Sequence, residues 1–254
     1  LACTRFIVAW LALCLIKTPG PKPQGRDRHI IYLMGFLGFA LCVGLQNFGL
    51  VHTSATNASI LAGLIPAFTV LGAAVFFRER FTSANLAGLA IAFIGGALII
   101  WNGKVNFNLN PIGDILMVLS CLAWSAYTLA GRSIYDKYST FLISRITVFV
   151  GAACTLPFLI YDIKTGAFSV FTIKEALIIL YLGVMVTAVG FTVWVFCVRI
   201  LGMVYTSNLL YFQCVITMVT AHFVINEPIT IFLVCCTAGV ILGVYLSNLS
   251  SARK

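Results

Sequence analysis

Long uncharged apolar stretches, separated by short polar segments, make up almost the whole chain. A helix needs about 20 apolar residues to cross the ~30 Å hydrocarbon core of a bilayer, and these stretches have that length or more. They predict nine membrane helices, near residues 2–16, 30–50, 54–77, 84–101, 112–131, 141–161, 175–198, 203–226 and 229–248. Because the stretches are continuously apolar and rich in glycine rather than alternating, they favour helices over the strands of a barrel.

One stretch is too long for a single crossing. Residues 30–77 contain no Lys, Arg, Asp or Glu, but a polar cluster of His52, Thr53 and Ser54 interrupts them. The cluster predicts two helices joined by a tight turn.

Composition supports a membrane protein. A soluble domain carries roughly 25% charged residues, whereas this chain of 254 residues has 9% charged and 61% hydrophobic residues, with a mean hydropathy of +1.05. No polar stretch is long enough for a separate globular domain. The net charge of +9 comes from short Lys and Arg clusters between apolar stretches, which is typical of membrane-flanking charges. We therefore expect the lipid bilayer as a partner, and no nucleic acid.

The same charges predict the orientation. Positively charged loops stay in the cytoplasm, and eleven Lys and Arg residues fall on one side of the predicted helices against four on the other. This places the C-terminus in the cytoplasm, and we expect the helices to lie in the plasma (inner) membrane. The eleven are Lys17, Lys22, Arg26, Arg28, Arg78, Arg80, Arg132, Lys137, Arg199, Arg253 and Lys254.

An internal repeat divides the chain near residue 104. A shift of 148 residues aligns Gly35 with Gly183, Ser59 with Ser207, Thr69 with Thr217, Glu79 with Glu227, Thr82 with Thr230 and Gly95 with Gly243. A shift of 140 aligns Arg5 with Arg145, so we interpret the first segment as a membrane helix rather than the alternative, a signal peptide. The predicted repeats are residues 1–104 and 105–254.

The two repeats differ by one helix. The helix near residues 112–131 precedes the Arg145 segment, whereas nothing precedes the Arg5 segment, so we expect the first helix to be missing. A complete unit has five helices, and this odd number places the two copies in opposite orientations across the membrane. Inverted repeats of this kind are typical of secondary transporters, with the substrate near the midplane.

Several motifs resemble EamA-type members of the drug/metabolite transporter superfamily. They are HTSATNASILAGLIPAFTVLGAAVFFRERFTSANLAGLAIAFIGGALII, with Pro66 in the fourth family helix, then GDILMVLSCLAWSAYTLAGR, LGVMVTAVGFTVWVFCVRILG and INEPIT. The resemblance implies an all-α membrane protein with an inverted five-plus-five helix repeat, here about nine helices with the first helix missing. It also implies export of small metabolites such as amino acids. Cys214 stands where the second repeat often has a proline, which speaks against symmetric helix kinks.

Polar side chains within membrane helices are costly in lipid and usually face a cavity. They predict these substrate-binding residues: Gln46, Asn57, Trp124, Tyr127, Trp194, Tyr211 and Gln213. The resemblance places the helices of Trp194, Tyr211 and Gln213 around the central cavity of the family. The open alternative is that these side chains only pack, or hydrogen-bond neighbouring helices for about 0.6–2 kcal/mol each.

Two ionisable residues are candidates for coupling transport to protons. His222 can titrate near neutral pH, and Glu227 is the repeat equivalent of Glu79. The alternatives are a packed neutral histidine and a glutamate that only ends a helix.

Gly239 and Gly243 form a GxxxG motif, which we expect to pack helices within one chain. The alternative is that the motif forms a homodimer.

Other chemistry is not expected. The nine cysteines form no CxxC pair and read as small buried hydrophobes, and no metal or cofactor is expected. We expect no enzyme, because the chain has no GxSxG, HExxH or Walker sequence, and transport would then be secondary.

The leading hypothesis is a secondary transporter of a small zwitterionic or neutral solute. The alternatives are a non-transporting receptor or assembly subunit and, less favoured, an intramembrane enzyme.

Overall fold

The computed structural model describes residues 2–18, 21–53, 55–101, 111–165, 172–225 and 231–248. In these ranges the chain folds into nine helices, two of them interrupted, and contains no strand. The helices are α1 (Ala2–Cys14), α2 (Gly25–His52), α3a (Ala55–Ala62), α3b (Ile65–Phe77), α4 (Ser83–Trp101), α5 (Pro111–Ala130), α6 (Thr140–Lys164), α7 (Ile173–Leu201), α8a (Met203–Asn208), α8b (Phe212–Ile225) and α9 (Ile231–Asn248).

The predicted helices are confirmed within the described ranges. Each predicted stretch corresponds to one helix, and α2 ends at His52 before α3a begins at Ala55, as the polar cluster there predicts. Five helical stretches are long and apolar enough to cross a membrane: Gly25–His52, Ala58–Phe77, Pro111–Ser133, Thr140–Lys164 and Ile173–Leu201. Shorter apolar helices are Ala2–Cys14, Ser83–Ile99 and Val234–Asn248. The protein is therefore a multi-pass membrane protein.

The 148-residue spacing of the predicted repeat recurs in the helices of the first and second halves. Helices α2 and α7 begin 148 residues apart. Both α2 and α7 also contain a π-helical segment, at Phe36–Leu41 and Leu182–Val189, and these segments begin 146 and end 148 residues apart. In the second segment the Thr187 hydroxyl also donates to the carbonyl of Leu182, five residues earlier in the same helix, at 2.9 Å.

The third helix is interrupted just before Pro66. Proline has no N–H to continue the helical hydrogen bonds, and the chain makes tighter bonds there: the Gly63 N–H donates to Ile60 O at 3.1 Å, and the Leu64 N–H to Leu61 O at 2.9 Å. We call the residues between Ala62 and Ile65 the α3 break.

The eighth helix is interrupted at the equivalent place. A 3₁₀ turn at Leu209–Tyr211 separates α8a from α8b, 146 to 148 residues after Gly63. Both helices are thus interrupted, although proline follows the break only in the first half and Cys214 stands at the equivalent position in the second. A short 3₁₀ turn changes the helix without a proline.

One compact unit combines Leu1–Gly44 with Ala126–Gly202, and we call it unit 1. Its core is aromatic: the Phe39 ring lies 4.4 Å from the Phe191 ring, 5.6 Å from Phe6 and 6.1 Å from Tyr127, between centroids. Phe39, Phe6 and Tyr127 are fully buried. The rings come from α1, α2, α5 and α7, so they join four helices.

The second compact unit, unit 2, combines Leu45–Ser125 with Met203–Lys254. Here α4 and α9 pack closely through glycines: a Cβ on Gly243 would lie 2.7 Å from the carbonyl oxygen of Gly88. The prediction that Gly243 packs helices within the chain is confirmed, whereas a Cβ on Gly239 would meet nothing within 4 Å among the described atoms. Each unit draws on both predicted repeats, and the repeat boundaries stay a prediction.

Candidate functional site

Two of the predicted binding residues belong to unit 1. Tyr127 is fully buried, and a Cβ on Gly38 would lie 2.8 Å from its ring, so Tyr127 is part of the packed aromatic core. Trp194 is half-buried on α7. It follows Phe191 by three positions, which places both rings on one face of the helix. Of the two, Trp194 is the more accessible to a solute.

Unit 2 contains the other predicted binding residues. Gln46 on α2 and Gln213 on α8b are exposed, and Trp124 on α5 is half-buried. Tyr211 is buried in an apolar cluster with Ala92 and Val240. The two amides are therefore accessible, whereas Tyr211 packs as a core residue does.

Three predicted residues lie partly or wholly outside the described residues. Asn57 belongs to α3a and His222 to α8b, but their side chains are not described, and Glu227 is outside the described ranges altogether. Their roles in binding and coupling stay predictions.

Gln46 and Trp194 occupy equivalent positions of the predicted repeat. They are 148 residues apart, and each follows the end of a π-helical segment by five residues. π-Helical turns occur frequently at functional sites. The spacing of the predicted repeat and the position of the π-helical segments thus indicate the same two positions, an amide on α2 and an indole on α7.

Hydroxyl groups surround the α3 break in unit 2. The Ser125 hydroxyl of α5 donates to the Ile65 carbonyl at 3.0 Å, and the Thr69 hydroxyl donates to the same oxygen at 2.9 Å. Ser207 of α8a donates to the Thr69 hydroxyl at 3.2 Å. The Cys121 thiol also lies 3.5 Å from the Leu61 carbonyl. In the sequence, only the predicted repeat distinguishes Thr69 and Ser207, and a match between repeats does not show which helices meet.

Polar contacts also tie helix ends within each unit. In unit 2 the Thr53 hydroxyl donates to the Asp114 carboxylate at 2.6 Å. In unit 1, Asp27 at the start of α2 accepts from Lys137 at 3.1 Å and from the Tyr138 hydroxyl at 3.0 Å. Nearby, burial raises the pKa of the Tyr135 phenol well above its ordinary value, so this buried group stays neutral. These contacts fix helix ends within each unit.

Metal-binding chemistry has no support among the described residues, which contain no group of three His, Cys, Asp or Glu side chains placed to hold an ion. The described cysteines are all free. Cys3, Cys42, Cys121 and Cys236 are buried as predicted, but Cys14 and Cys235 are exposed, so the interpretation of all cysteines as buried is wrong for these two. Both lie in apolar helices.

Known proteins resemble this chain along almost its full length. A protein of Archaeoglobus fulgidus named "Uncharacterized transporter" is 26% identical over 246 residues, covering 97% of this chain and 87% of the relative. A protein of Streptantibioticus cattleyicolor named "Probable terminal-alkyne amino-acid exporter" is 29% identical over 252 residues, covering 98% and 83%.

A solved crystal structure shares the fold. It has a TM-score of 0.79 and 18% sequence identity, and the match covers 99% of this chain and 87% of the other. The profile of the family described as "EamA-like transporter family" matches residues 1–101 and 111–249, which is nearly the whole chain. The chain belongs to the EamA-like transporter family, and it is a membrane transporter.

Proposed function

We propose that this protein is a secondary transporter that exports small zwitterionic or neutral metabolites, such as amino acids, across the plasma membrane. The observation that carries the proposal is the exposure of the amides of Gln46 and Gln213 on apolar membrane helices. An exposed amide is costly against lipid, so such residues face a water-filled cavity or the protein interior. Both amides are neutral and can donate and accept hydrogen bonds.

The chemistry of these residues suits an amino acid better than a polyanion. An amide oxygen can accept from an ammonium group, an amide nitrogen can donate to a carboxylate, and the rings of Trp194 and Trp124 offer apolar surface to a side chain. The naming of one relative as an amino-acid exporter supports the same substrate class and the outward direction. Asn57 is a further proposed member of this set, and Tyr127 and Tyr211, although buried, complete it.

The proposed mechanism is alternating access by two inverted repeats around a central site. The odd number of helices in a complete unit supports the inversion, and the excess of Lys and Arg on one side supports a cytoplasmic C-terminus. Without a Walker sequence, we expect the energy to come from a solute or ion gradient, with His222 and Glu227 as the candidates for coupling.

Flux measurements test the proposal. Proteoliposomes containing the purified protein are loaded with the twenty protein amino acids, and their release is followed by mass spectrometry against protein-free liposomes. We expect at least one amino acid to leave faster than from the control, and Gln46→Ala together with Trp194→Ala to slow it. Equal release from both kinds of vesicle, across this panel and a metabolite panel, would contradict the proposal. Stable binding of a partner protein without any flux would instead support a receptor or assembly subunit.

A further inference from the structure

We infer that Ser125, Thr69 and Ser207 are positioning residues for transport, which fix the geometry of the α3 break by hydrogen bonds that converge on the Ile65 carbonyl. We call these three hydroxyls and this carbonyl the hydroxyl clasp. The inference rests on the proposed function, because it assigns the residues a part in solute movement. Their role is indirect, since they act through the shape of the helix.

Side chains from two other helices bond to the chain directly after the break. Pro66 has no N–H, so the carbonyl four residues earlier cannot accept the regular helical hydrogen bond. The Ile65 carbonyl, at the start of α3b, accepts from the Ser125 hydroxyl of α5 and from the Thr69 hydroxyl, which in turn accepts from Ser207 of α8a. These bonds tie the end of the break to α5 and α8a, inside a membrane protein where lipid offers no donors.

The clasp is dry. Ser125 is 2% exposed, and Thr69 and Ser207 are 0% exposed. Hydrogen bonds strengthen each other when water is absent, and a partner left unsatisfied there is costly. The three hydroxyls therefore hold one conformation of the break, where water would allow several.

The direction of the hydrogen bonds excludes a proton relay through the clasp. The Ser125 and Thr69 hydroxyls both donate to the Ile65 oxygen, at 3.0 and 2.9 Å. A relay needs each group to accept from one neighbour and donate to the next, whereas a backbone carbonyl has no proton to pass on. The clasp therefore fixes the backbone geometry of the break and does not pass protons.

The position of the break gives the clasp its link to transport. Gln213, one of the two exposed amides, is the repeat equivalent of Ile65, 148 residues away. Secondary transporters form their substrate sites from interrupted helices, and the repeats that contain these helices move during transport. Ser59 and Thr217 repeat the residue types of Ser207 and Thr69 at the same spacing, so both halves keep these hydroxyls. We therefore expect a change in the α3 break to lower the transport rate clearly while changing the melting temperature little.

Matched substitutions test the inference. Ser125→Ala is compared with Ser120→Ala, because Ser120 is buried on the same helix but donates to the Met117 carbonyl of its own helix, at 2.7 Å. Thr69→Val is compared with Thr147→Val, because Thr147 is fully buried and donates within α6, at 3.0 Å to Ile143. The measurements are apparent melting temperature, concentration dependence of amino-acid release per folded protein, and deuterium uptake of the 60–69 segment.

We expect Ser125→Ala and Thr69→Val to lower the maximal release rate about three- to tenfold, with little change in the half-saturating concentration. Ser120→Ala and Thr147→Val should keep the maximal rate at similar melting temperatures, and Thr69→Ser should restore it. Equal rates in the clasp variants and their controls, or no rescue by Thr69→Ser, would overturn the inference.

Deuterium uptake separates this inference from the proposed function. Uptake in the 60–69 segment should rise in Ser125→Ala and Thr69→Val but stay at the wild-type level in the two controls. If the wild-type protein releases no solute, the proposed function fails and the role of the clasp in transport fails with it. Raised uptake would then still support the clasp as the device that holds the break, whereas unchanged uptake would overturn that as well.

Discussion

Aromatic rings fill the middle of unit 1, whereas unit 2 is packed through glycines and joined by hydrogen bonds. In unit 1 the Phe39 ring contacts rings from three other helices. In unit 2, Gly88 and Gly243 let two helix backbones meet, and side chains such as Asn85 and Ser207 bond across helices. Helices in lipid gain little from the hydrophobic effect and associate through close packing and hydrogen bonds. The two units show both solutions in one chain.

Removing the central ring should produce the largest effect. Phe39→Ala deletes a fully buried ring, and large-to-small substitutions of this kind cost about 3–5 kcal/mol of unfolding free energy. Phe39→Leu should cost less, because it keeps part of the volume. Unfolding in denaturing detergent measures both. A small loss in Phe39→Ala would show that the aromatic cluster does not stabilise unit 1.

The glycine contact of unit 2 comes next. In Gly243→Leu the new side chain would meet the backbone of α4, which cannot move as a flexible side chain can, and we expect a loss of about 1–3 kcal/mol. Gly239→Leu on the same helix is the control, since its Cβ meets open space. Equal melting temperatures for these two variants would contradict glycine packing as the basis of unit 2.

A smaller effect should follow from removing one interhelical hydrogen bond of unit 2. The Asn85 side chain donates to the Ser247 carbonyl at 2.7 Å and is 6% exposed. We expect Asn85→Ala to cost about 0.6–2 kcal/mol. Asn47→Ala, at an exposed position of α2, should have a smaller effect in the same unfolding experiment. The reverse order would show that hydrogen bonds contribute little here.

The smallest effect should come from the ion pair at the edge of unit 1. Lys137 and Asp27 lie 3.1 Å apart, and the Lys137 side chain is 54% exposed. Exposed ion pairs contribute little and are screened by salt. Lys137→Met should therefore change the melting temperature least of these substitutions, and the change should shrink further as salt is added. A salt-independent loss as large as that in Asn85→Ala would contradict this ranking.

Hydropathy was enough to place the helices, because lipid requires long apolar stretches whatever their partners. The same requirement means that the sequence does not show which face of each helix is buried in the protein. An apolar residue is acceptable both in the core and against lipid, so periodicity could not distinguish Tyr127 and Tyr211, which pack inside, from side chains that line a pathway. Gln46 and Gln213 were easier to interpret, because an amide is costly against lipid.

Contacts between distant helices were beyond the sequence. Nothing in the pattern around Ser125 indicates that its hydroxyl reaches the Ile65 carbonyl, 60 residues earlier in the chain. The sequence also did not predict the interruption at Leu209–Tyr211, because Cys214 stands where a proline would have indicated it. Such features depend on how helices meet, which a single sequence records only indirectly.

The paired π-helical segments carry information about ancestry. A π-helical turn closes its hydrogen bonds over one residue more than an α-helical turn, and Phe36–Leu41 and Leu182–Val189 place this extra residue at matching points of the two halves. Two independent acquisitions at the same point would be a coincidence. The predicted duplication would place the widened turn in the single ancestral unit, and both copies would then have kept it while most of their side chains diverged.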